Sequence, residues 1–276
     1  MLGRTFRRRW GSAHELVSPS RGALDLADAS STLASVRAAT PEVVVHCAAY
    51  TKVDEAESDE AAAFLGNERV TANVADAARD VGARLVAFST DYVFSGELNR
   101  PYAEDDAPAP RSVYGKSKLA GEVAARARHP DPTIVRVAWL YGPGGPSFLH
   151  TICRLAADPE RSLTLVDDQV GNPTTCDAVV SFVEQCLESK LTGLLHGTCE
   201  GETSWFGFGS EVLQRLGLER EVAPCSTDAF PRAAPRPANS RLENRRARAE
   251  GIVMPTWEAA LEAFICENSD ELLPET

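Results

Sequence analysis

A tyrosine and a lysine stand four residues apart, as Tyr114 and Lys118, at the start of a helix-forming run. In a helix, residues i and i+4 lie on one face, so both side chains can point into the same crevice. A free phenol has a pKa of about 10, and a nearby ammonium group favours its ionised form. The pair therefore indicates proton transfer to a carbonyl beside a nicotinamide cofactor. Alone, the spacing also fits a surface tyrosine on a lysine-rich helix.

Small polar residues, Ser89-Thr90-Asp91, follow a strongly β-forming run and supply hydroxyl groups to the same kind of site. At the carboxyl end of a strand, such hydroxyls can hydrogen-bond a substrate carbonyl. By itself the tripeptide also fits a helix cap or a turn that ends a strand. Together with the tyrosine and lysine it favours a reductase site.

The elements that must position these residues alternate between short β-branched runs and helical patterns, which is typical of parallel βαβ units. The predicted strands are residues 43–47, 84–88 and 133–137, with residues 15–17 as a weaker first strand. The predicted helices are residues 31–39, capped by Asp28 or Ser30, then 59–81 and 113–126. We therefore predict an α/β fold with a doubly wound parallel Rossmann-type sheet.

Beyond residue 146 the pattern is less regular, with helices predicted to begin at Phe148, Asp177, Trp205 and Trp257. Open α/β sheets bind ligands at their carboxyl edge, and we expect this half of the chain to close over that edge. The predicted division is an NAD(P)-binding domain over residues 1–145 and a smaller substrate-binding lobe over residues 146–276. Some segments of the lobe are expected to return to the sheet.

Composition excludes several classes of partner. The formal net charge of −12 argues against binding to a nucleic-acid backbone, which needs clustered Lys and Arg. No apolar stretch approaches the roughly 20 residues of a membrane span, and no apolar signal segment follows the arginines near the start. The seven cysteines form no CxxC pair, so neither a zinc site nor a complete disulfide framework is indicated. We expect a cytoplasmic protein with reduced thiols and no metal site.

Six blocks of the chain, in order, resemble the extended short-chain dehydrogenase/reductases and, within them, the dTDP-4-dehydrorhamnose reductase family. The blocks are residues 46–57, 89–96, 113–122, 139–142, 167–174 and 236–240. The resemblance implies NAD(P)H-dependent reduction of the 4-keto group of dTDP-4-dehydro-6-deoxy-L-mannose to dTDP-L-rhamnose. It implies a dTDP-sugar as the substrate and a homodimer, and Mg²⁺ by resemblance only.

The resemblance also implies a role for each matched residue. Tyr114 would donate the proton, Lys118 would bind the cofactor ribose and lower the pKa of Tyr114, and Thr90 would hydrogen-bond the sugar carbonyl. The implied substrate contacts are Thr90, Asp91, Trp139 and Arg236, and the implied cofactor contacts are Gly3, Asp25, Leu26, Ala48, Ala49, Tyr50, Tyr114 and Lys118. Asn67 matches a helix asparagine near the active site. Core packing is the alternative for Trp139, and a helix cap is the alternative for Asp25.

The first glycines of the family pattern are not in this sequence. Family members begin with a strand and a GxxGxxG turn that receives the cofactor pyrophosphate. Here only Gly3 matches, at the last step of that turn. We expect either that translation was assigned to start at an internal methionine, which omits this central strand, or that the gene has lost it. Loss of the strand would expose two strand edges.

Cofactor choice and rival functions follow from further details. An acidic residue after the second strand would favour NAD, but residues 17–21 offer hydroxyls and Arg21, so NADPH is preferred over NADH.

Another sugar-nucleotide reductase or epimerase is one rival hypothesis for the function. A noncatalytic regulatory subunit resembling the β subunit of methionine adenosyltransferase is another, and the missing glycines suit it. The retained Tyr114, Lys118 and Thr90 favour the reductase.

Overall fold

The computed structural model describes residues 1–20, 22–158, 160 and 162–272. The helices are α1 (Leu2–Trp10), α2 (Ala29–Ala39), α3 (Val53–Ala56), α4 (Glu60–Phe64), α5 (Val70–Asp80), α6 (Val113–Arg128), α7 (Phe148–Ala156), α8 (Cys176–Ser189), α9 (Trp205–Arg215), α10 (Arg245–Ala249) and α11 (Trp257–Leu272). The strands are β1 (Val43–His46), β2 (Arg84–Thr90), β3 (Thr133–Val137), β4 (Leu140–Tyr141), β5 (Leu163–Val166), β6 (Val170–Gly171), β7 (Thr174–Thr175), β8 (Gly193–His196), β9 (Thr203–Ser204) and β10 (Val222–Cys225).

A four-stranded parallel sheet in the order β1-β2-β3-β8 forms the centre of the molecule. Its first three strands are the three strongly predicted ones. Side chains alternate between the two faces, as the two-residue period of a strand requires. Leu85 and Ile134 face a cluster with α5 and α6, whereas Val86 and Val135 face a cluster with α1 and α8. Helices therefore cover both faces, which confirms the predicted α/β class and parallel Rossmann-type sheet.

Residues 15–17 do not form the predicted strand. Leu16 and Val17 are 39% and 64% exposed, so neither side chain enters the core. A strand exists only where a neighbouring strand pairs with its backbone, and no strand lies beside these residues in the described parts of the chain. The β propensity of three residues was too weak a basis for the prediction.

The predicted helices are present, with one interruption. Asp28 caps α2 by accepting a hydrogen bond from the Ser30 N–H, as one of the two expected caps. The predicted helix over residues 59–81 is divided into α4 and α5 by a π-helical turn, Leu65–Arg69. Such single π turns are rare and often occur at functional sites.

The second half of the chain contributes both to the sheet and to smaller elements. Helices begin at Phe148, Cys176, Trp205 and Trp257, each at or within one residue of the predicted start. Helix α8 and strand β8 return to the central sheet. Three two-stranded pairs, β5 with β10, β4 with β7 and β6 with β9, lie outside it. The division at residues 145 and 146 stays a prediction.

Helix α1 packs on α8 through two aromatic residues and a cluster of charges. Phe6 and Trp10 are buried in the core, and the Trp10 indole N–H donates to Glu184 at 2.8 Å. Arg9 reaches the same carboxylate at 2.9 Å. At the other end of α1, Met1 packs against Gly145, and no side chain caps the helix. No helix in the described residues is long and apolar enough to cross a bilayer.

Candidate active site

The start of α6 is fixed by a cap and by a close approach of two backbones. The Ser112 hydroxyl accepts the Gly115 N–H at 3.0 Å, which caps the helix. Any Cβ at Gly115 would overlap the Tyr92 carbonyl oxygen, so only glycine lets α6 approach the turn after β2 this closely. The ring of Tyr92 meets the ring of Tyr114 edge-on, with centroids 5.6 Å apart. Tyr114 is thereby held beside the carboxyl end of β2.

Tyr114, Thr90 and Asp91 form a chain of hydrogen bonds. The Thr90 hydroxyl donates to Asp91 Oδ1 at 2.8 Å, and the Tyr114 side chain is hydrogen-bonded to Thr90. The contact with Thr90 favours the ionised form of the phenol. Asp91 is 4% exposed and also bonds Ser240. The structure therefore brings the predicted Tyr114, Thr90 and Asp91 together.

Burial sets the charge state of this chain. Removal from water, and the neighbouring Asp91, raise the pKa of Tyr114 well above its ordinary value. Burial also raises the pKa of Asp91 to about 6, against the hydrogen bonds from Ser240 and Thr90 that favour its ionised form. We expected Lys118 to lower the pKa of Tyr114, and in the protein alone burial outweighs any such effect. A neutral phenol at pH 7 is the form that can donate a proton.

Lys118 lies one helical turn from Tyr114 and is almost wholly buried. Its ammonium donates to the Phe88 carbonyl oxygen at 2.6 Å, on the neighbouring strand β2. Burial lowers the pKa of Lys118 to about 8, although Glu122 acts in the opposite direction. An ammonium group has three N–H donors, so the contact with Phe88 leaves two for a ligand.

A buried ion pair supports the Lys118 face of α6. Arg136 on β3 binds Glu122 through two hydrogen bonds, both 2.8 Å, and both side chains are 2% exposed or less. The guanidinium also lies 4.8 Å from the centre of the Phe94 ring. Removing one member would leave a buried unpaired charge, which is strongly destabilising. The pair fixes the register of α6 against the sheet.

Asn67, in the π turn, connects the loop after β1 to α6. Its side chain accepts the Tyr50 N–H at 2.9 Å and donates to the Tyr50 carbonyl at 3.1 Å. It also donates to the Ser117 hydroxyl at 2.9 Å, next to Lys118 in the chain. The Tyr50 backbone, which Ala48 and Ala49 precede in the chain, is thus connected to α6 next to Lys118.

The remaining predicted cofactor residues lie at two separate places. Gly3 is the second residue of α1 and lies against Cys47, directly after β1. Asp25 accepts the Ala27 N–H at 2.9 Å and does not cap α2, a role that Asp28 has. The Leu26 carbonyl accepts a hydrogen bond from Asn73 at 2.9 Å. Arg21, on which the preference for NADPH partly depended, lies outside the described residues.

Trp139 and Arg236 each contact a residue that lies far away in the chain. Trp139 has a φ of 48°, rare for a residue with a side chain, and its ring stacks on Trp205 with centroids 3.4 Å apart. Arg236 donates to Asp54 at 2.7 Å. Burial raises the pKa of Asp54, but hydrogen bonds from the Ala234 N–H and Arg236 outweigh it and hold the pKa below its ordinary value. Arg236 is therefore ion-paired within the protein.

The comparisons with known proteins agree with this geometry. A family model described as the RmlD substrate binding domain matches residues 1–269. A dTDP-4-dehydrorhamnose reductase of Streptomyces griseus is 40% identical over 99% of this chain and 94% of its own.

The chain belongs to the dTDP-4-dehydrorhamnose reductase family.

Two further relatives of this reductase family bear on cofactor and substrate. The crystal structure of the Bacillus anthracis dTDP-4-dehydrorhamnose reductase in complex with NADP is 36% identical, with a TM-score of 0.93, over 96% of this chain and 95% of that one. A probable dTDP-4,6-dihydroxy-2-methyloxan-3-one 4-ketoreductase of Streptomyces antibioticus is 40% identical over 96% of this chain and 91% of its own. Both cover nearly the whole length of the chain.

The residues of this reductase fit a nicotinamide cofactor. Lys118 has two further donors one helical turn from Tyr114, as ribose hydroxyls require. The first turn of α1 carries no acidic side chain and no side-chain cap. The Arg4 N–H in this turn already donates to the Met1 carbonyl oxygen, so the N–H groups before it remain to receive a phosphate. Among the described residues no group of three His, Cys, Asp or Glu side chains could hold a metal ion.

Several site residues escaped the sequence analysis of this reductase. Gln169 and Ser240 lie in matched blocks but received no role, and Trp205 was identified only as a helix start. The available signal for Trp205 was an indole at the first residue of a helix directly after a short strand. Glu122 also lies in a matched block. Its partner Arg136 looks in the sequence like an ordinary polar residue within a strand, so the sequence does not indicate that the two form an ion pair.

Proposed function

We propose that this protein catalyses the NAD(P)H-dependent reduction of the 4-keto group of dTDP-4-dehydro-6-deoxy-L-mannose, which yields dTDP-L-rhamnose. The observation that carries the proposal is the Tyr114 hydroxyl, hydrogen-bonded to Thr90 one helical turn from the buried Lys118 ammonium. The family to which the chain belongs supports the same reaction. NADPH is the preferred cofactor, in line with the NADP complex of the Bacillus anthracis relative.

Tyr114 is proposed as the proton donor. When bound, the reduced nicotinamide supplies a hydride to the carbonyl carbon. Charge then develops on the carbonyl oxygen, and the neutral Tyr114 phenol transfers its proton to that oxygen. Thr90, at the same end of β2, is proposed to hydrogen-bond the sugar oxygen by turning its hydroxyl proton from Asp91 to that oxygen.

Lys118 is proposed to stabilise the charge that develops on Tyr114 and to bind the ribose of the cofactor. Its ammonium favours the phenolate that Tyr114 becomes after proton transfer, and its two remaining donors suit the hydroxyls of a ribose. The contact with the Phe88 carbonyl keeps the side chain in one orientation, so little rotamer entropy is lost when a ligand binds.

Asp91, Trp139 and Arg236 are proposed as the substrate side of the site. Asp91 fixes the orientation of the Thr90 hydroxyl. Trp139 offers an apolar ring face to the sugar nucleotide. Arg236 suits the pyrophosphate because a guanidinium can form two parallel hydrogen bonds to it, in exchange for its ion pair with Asp54.

A related substrate is the second candidate. The Streptomyces antibioticus relative, named as a probable 4-ketoreductase of a different dTDP-sugar, is as similar to this chain as the Streptomyces griseus relative. The two candidates share the dTDP group and the 4-keto group, and differ only in the hydroxyl pattern of the sugar ring.

The test is to incubate the purified protein with NADPH and each ketosugar nucleotide in turn, and to identify the product by nuclear magnetic resonance. Formation of dTDP-L-rhamnose with matching NADPH consumption is expected. Consumption only with another dTDP-4-ketosugar would select the second candidate. No consumption with any of them, together with co-purification of a methionine adenosyltransferase, would replace both with the regulatory-subunit hypothesis.

The proposed homodimer and the proposed cytoplasmic location need separate experiments. The sedimentation of the same preparation tests the homodimer, and cell fractionation tests the location.

A further inference from the structure

Trp139 is held by a second tryptophan that lies far from it in the chain. The ring of Trp205, the first residue of α9, lies parallel to the Trp139 ring, with an interplanar angle of 7° and centroids 3.4 Å apart. Phe148 also packs on Trp205, with centroids 4.5 Å apart. The Trp139 ring thus belongs to a row of aromatic rings.

Polar contacts fix Trp205 within this row. Its indole N–H donates to Gln169 Oε1 at 3.1 Å, and the Gln169 amide donates to the Thr227 hydroxyl at 2.9 Å. Gln169 is 8% exposed, so its two hydrogen bonds are formed away from water, where loss of a partner is costly. Asp168 accepts from the Thr227 N–H and hydroxyl and closes the loop.

The backbone on both sides of Trp139 is adapted to the same arrangement. The φ of 48° at Trp139 is unfavourable for a residue with a Cβ and persists only where surrounding contacts impose it. A Cβ at Gly171 would lie 2.5 Å from Trp139 Cε2, so only glycine lets the backbone approach the ring this closely. The ring therefore packs against both Gly171 and Trp205.

We infer that Trp205, oriented by Gln169, is a positioning residue that holds the Trp139 indole in place for the sugar nucleotide. The inference rests on the proposed function, in which Trp139 contacts the substrate. Trp205 acts through Trp139, and its removal leaves the Trp139 ring free to rotate about its side-chain bonds. Binding of the sugar nucleotide then has to restore the orientation of the ring, whereas binding of the cofactor does not.

The kinetic test is a double-variant cycle of Trp139→Phe and Trp205→Ala, with Trp10→Phe as the matched control in the α1 core. Trp205→Ala is expected to raise the KM for the dTDP-ketosugar about two- to tenfold, the usual effect of losing one aromatic contact. The KM of Trp205→Ala for NADPH should equal that of the wild-type protein. The control Trp10→Phe should have wild-type kinetics for both substrates. In the Trp139→Phe background, Trp205→Ala should add nothing. An additive effect, or an unchanged KM for the ketosugar, would overturn the inference.

A spectroscopic readout separates this inference from the proposed function. The near-ultraviolet circular dichroism of Trp205→Ala should equal that of the variant carrying both changes, because Trp139 loses its fixed orientation as well. If the spectrum loses only the contribution of Trp205, the positioning role is wrong even in an active reductase. If the spectra agree but no ketosugar is reduced, the proposed function fails and the inference that Trp205 fixes the Trp139 ring stands.

A variant that preserves most of the packing covers the case in which Trp205→Ala does not fold. Trp205→Phe keeps an aromatic face on Trp139 but removes the donor to Gln169, and Gln169→Leu removes the acceptor while keeping the indole. Each should raise the KM for the ketosugar less than Trp205→Ala, and each should be without further effect in the Trp139→Phe background. If Gln169→Leu raised the KM for the ketosugar as much in the Trp139→Phe background as in the wild-type protein, the inference would be contradicted.

Discussion

Single residues at this site owe their chemistry to the place where the chain buries them. Burial, with a further effect of Asp91, raises the pKa of Tyr114, and burial lowers the pKa of Lys118 to about 8. The first effect keeps the phenol protonated, and the second leaves the ammonium mostly charged at pH 7 and progressively uncharged as the pH rises through about 8. The sequence identifies both residues by type and spacing, but burial depends on the packing of α6 against β2. Their pKa values therefore could not be read from the sequence.

The pH dependence of the reaction should reflect the loss of the positive charge on Lys118. Below its pKa of about 8 the side chain carries the charge that favours the Tyr114 phenolate, and above that pH the charge is lost. Tyr114 stays protonated across the same range. The kcat/KM for the ketosugar should therefore fall as pH rises through about 8, since this parameter reports groups of the free enzyme. A profile that stays level well above pH 8 would show that the Lys118 charge is not required.

Replacing Lys118 should affect cofactor binding and turnover together. Lys118→Ala removes both the donors for the ribose and the charge beside the phenol, so the KM for NADPH should rise and kcat should fall. Lys116→Ala is the matched control, because it removes an exposed lysine from the same helix. Steady-state kinetics of both variants provide the measurement. Unchanged kinetics of Lys118→Ala would remove the lysine from the mechanism.

At the scale of elements, the sequence predicts what depends on local chain chemistry. The three strongly β-branched strands and the helix capped by Asp28 are where they were predicted. The prediction of a strand over residues 15–17 was wrong because a strand needs a partner strand, and local β propensity does not show whether a partner is present. The π turn that carries Asn67 was also missed, because its extra residue leaves no mark on a helical pattern of this length.

Glycine at position 115 is expected to be necessary for the placement of Tyr114. In Gly115→Ala the new methyl group overlaps the Tyr92 carbonyl, so α6 must move away from the end of β2. Overpacking of this kind costs about 1–3 kcal/mol of stability, and the same movement separates Tyr114 from Thr90. Thermal unfolding should show the loss of stability, and kcat should fall.

The control for this change is Gly22→Ala, at an exposed glycine with no atom within 4 Å of the added Cβ. It should leave both the unfolding temperature and kcat unchanged. If Gly115→Ala behaved like Gly22→Ala, the close approach of α6 and the turn after β2 would not be what positions Tyr114.

In the whole molecule, distant parts of the chain meet to complete the site. Asp54 and Arg236 are 182 positions apart, yet they form an ion pair that joins α3 to the segment before Ser240. The sequence predicts that Arg236 binds substrate because it lies in a matched block, but no pattern connects it to Asp54. Contacts of this kind, like the stack of Trp139 on Trp205, depend on the complete fold.

Arg236 should act on the sugar nucleotide and not on the cofactor. Arg236→Leu removes a charged donor, and the KM for the dTDP-ketosugar should rise at least about tenfold, as the loss of a charge-assisted hydrogen bond implies. The KM for NADPH should be unaffected. Arg245→Leu, which breaks exposed ion pairs with Asp105 and Glu243, is the matched control and should change neither constant. Equal effects of the two variants would exclude a specific role for Arg236.

The most direct test of the central claim is a single-turnover comparison of the wild-type protein with Tyr114→Phe. Both are mixed with NADPH and dTDP-4-dehydro-6-deoxy-L-mannose, and the loss of reduced nicotinamide is followed by stopped flow. Removal of the proton donor should slow the reduction step about 10²- to 10⁴-fold. Binding of NADPH, measured separately, should be nearly unchanged. Full-rate reduction by Tyr114→Phe would contradict the account, because the proton would then come from another group.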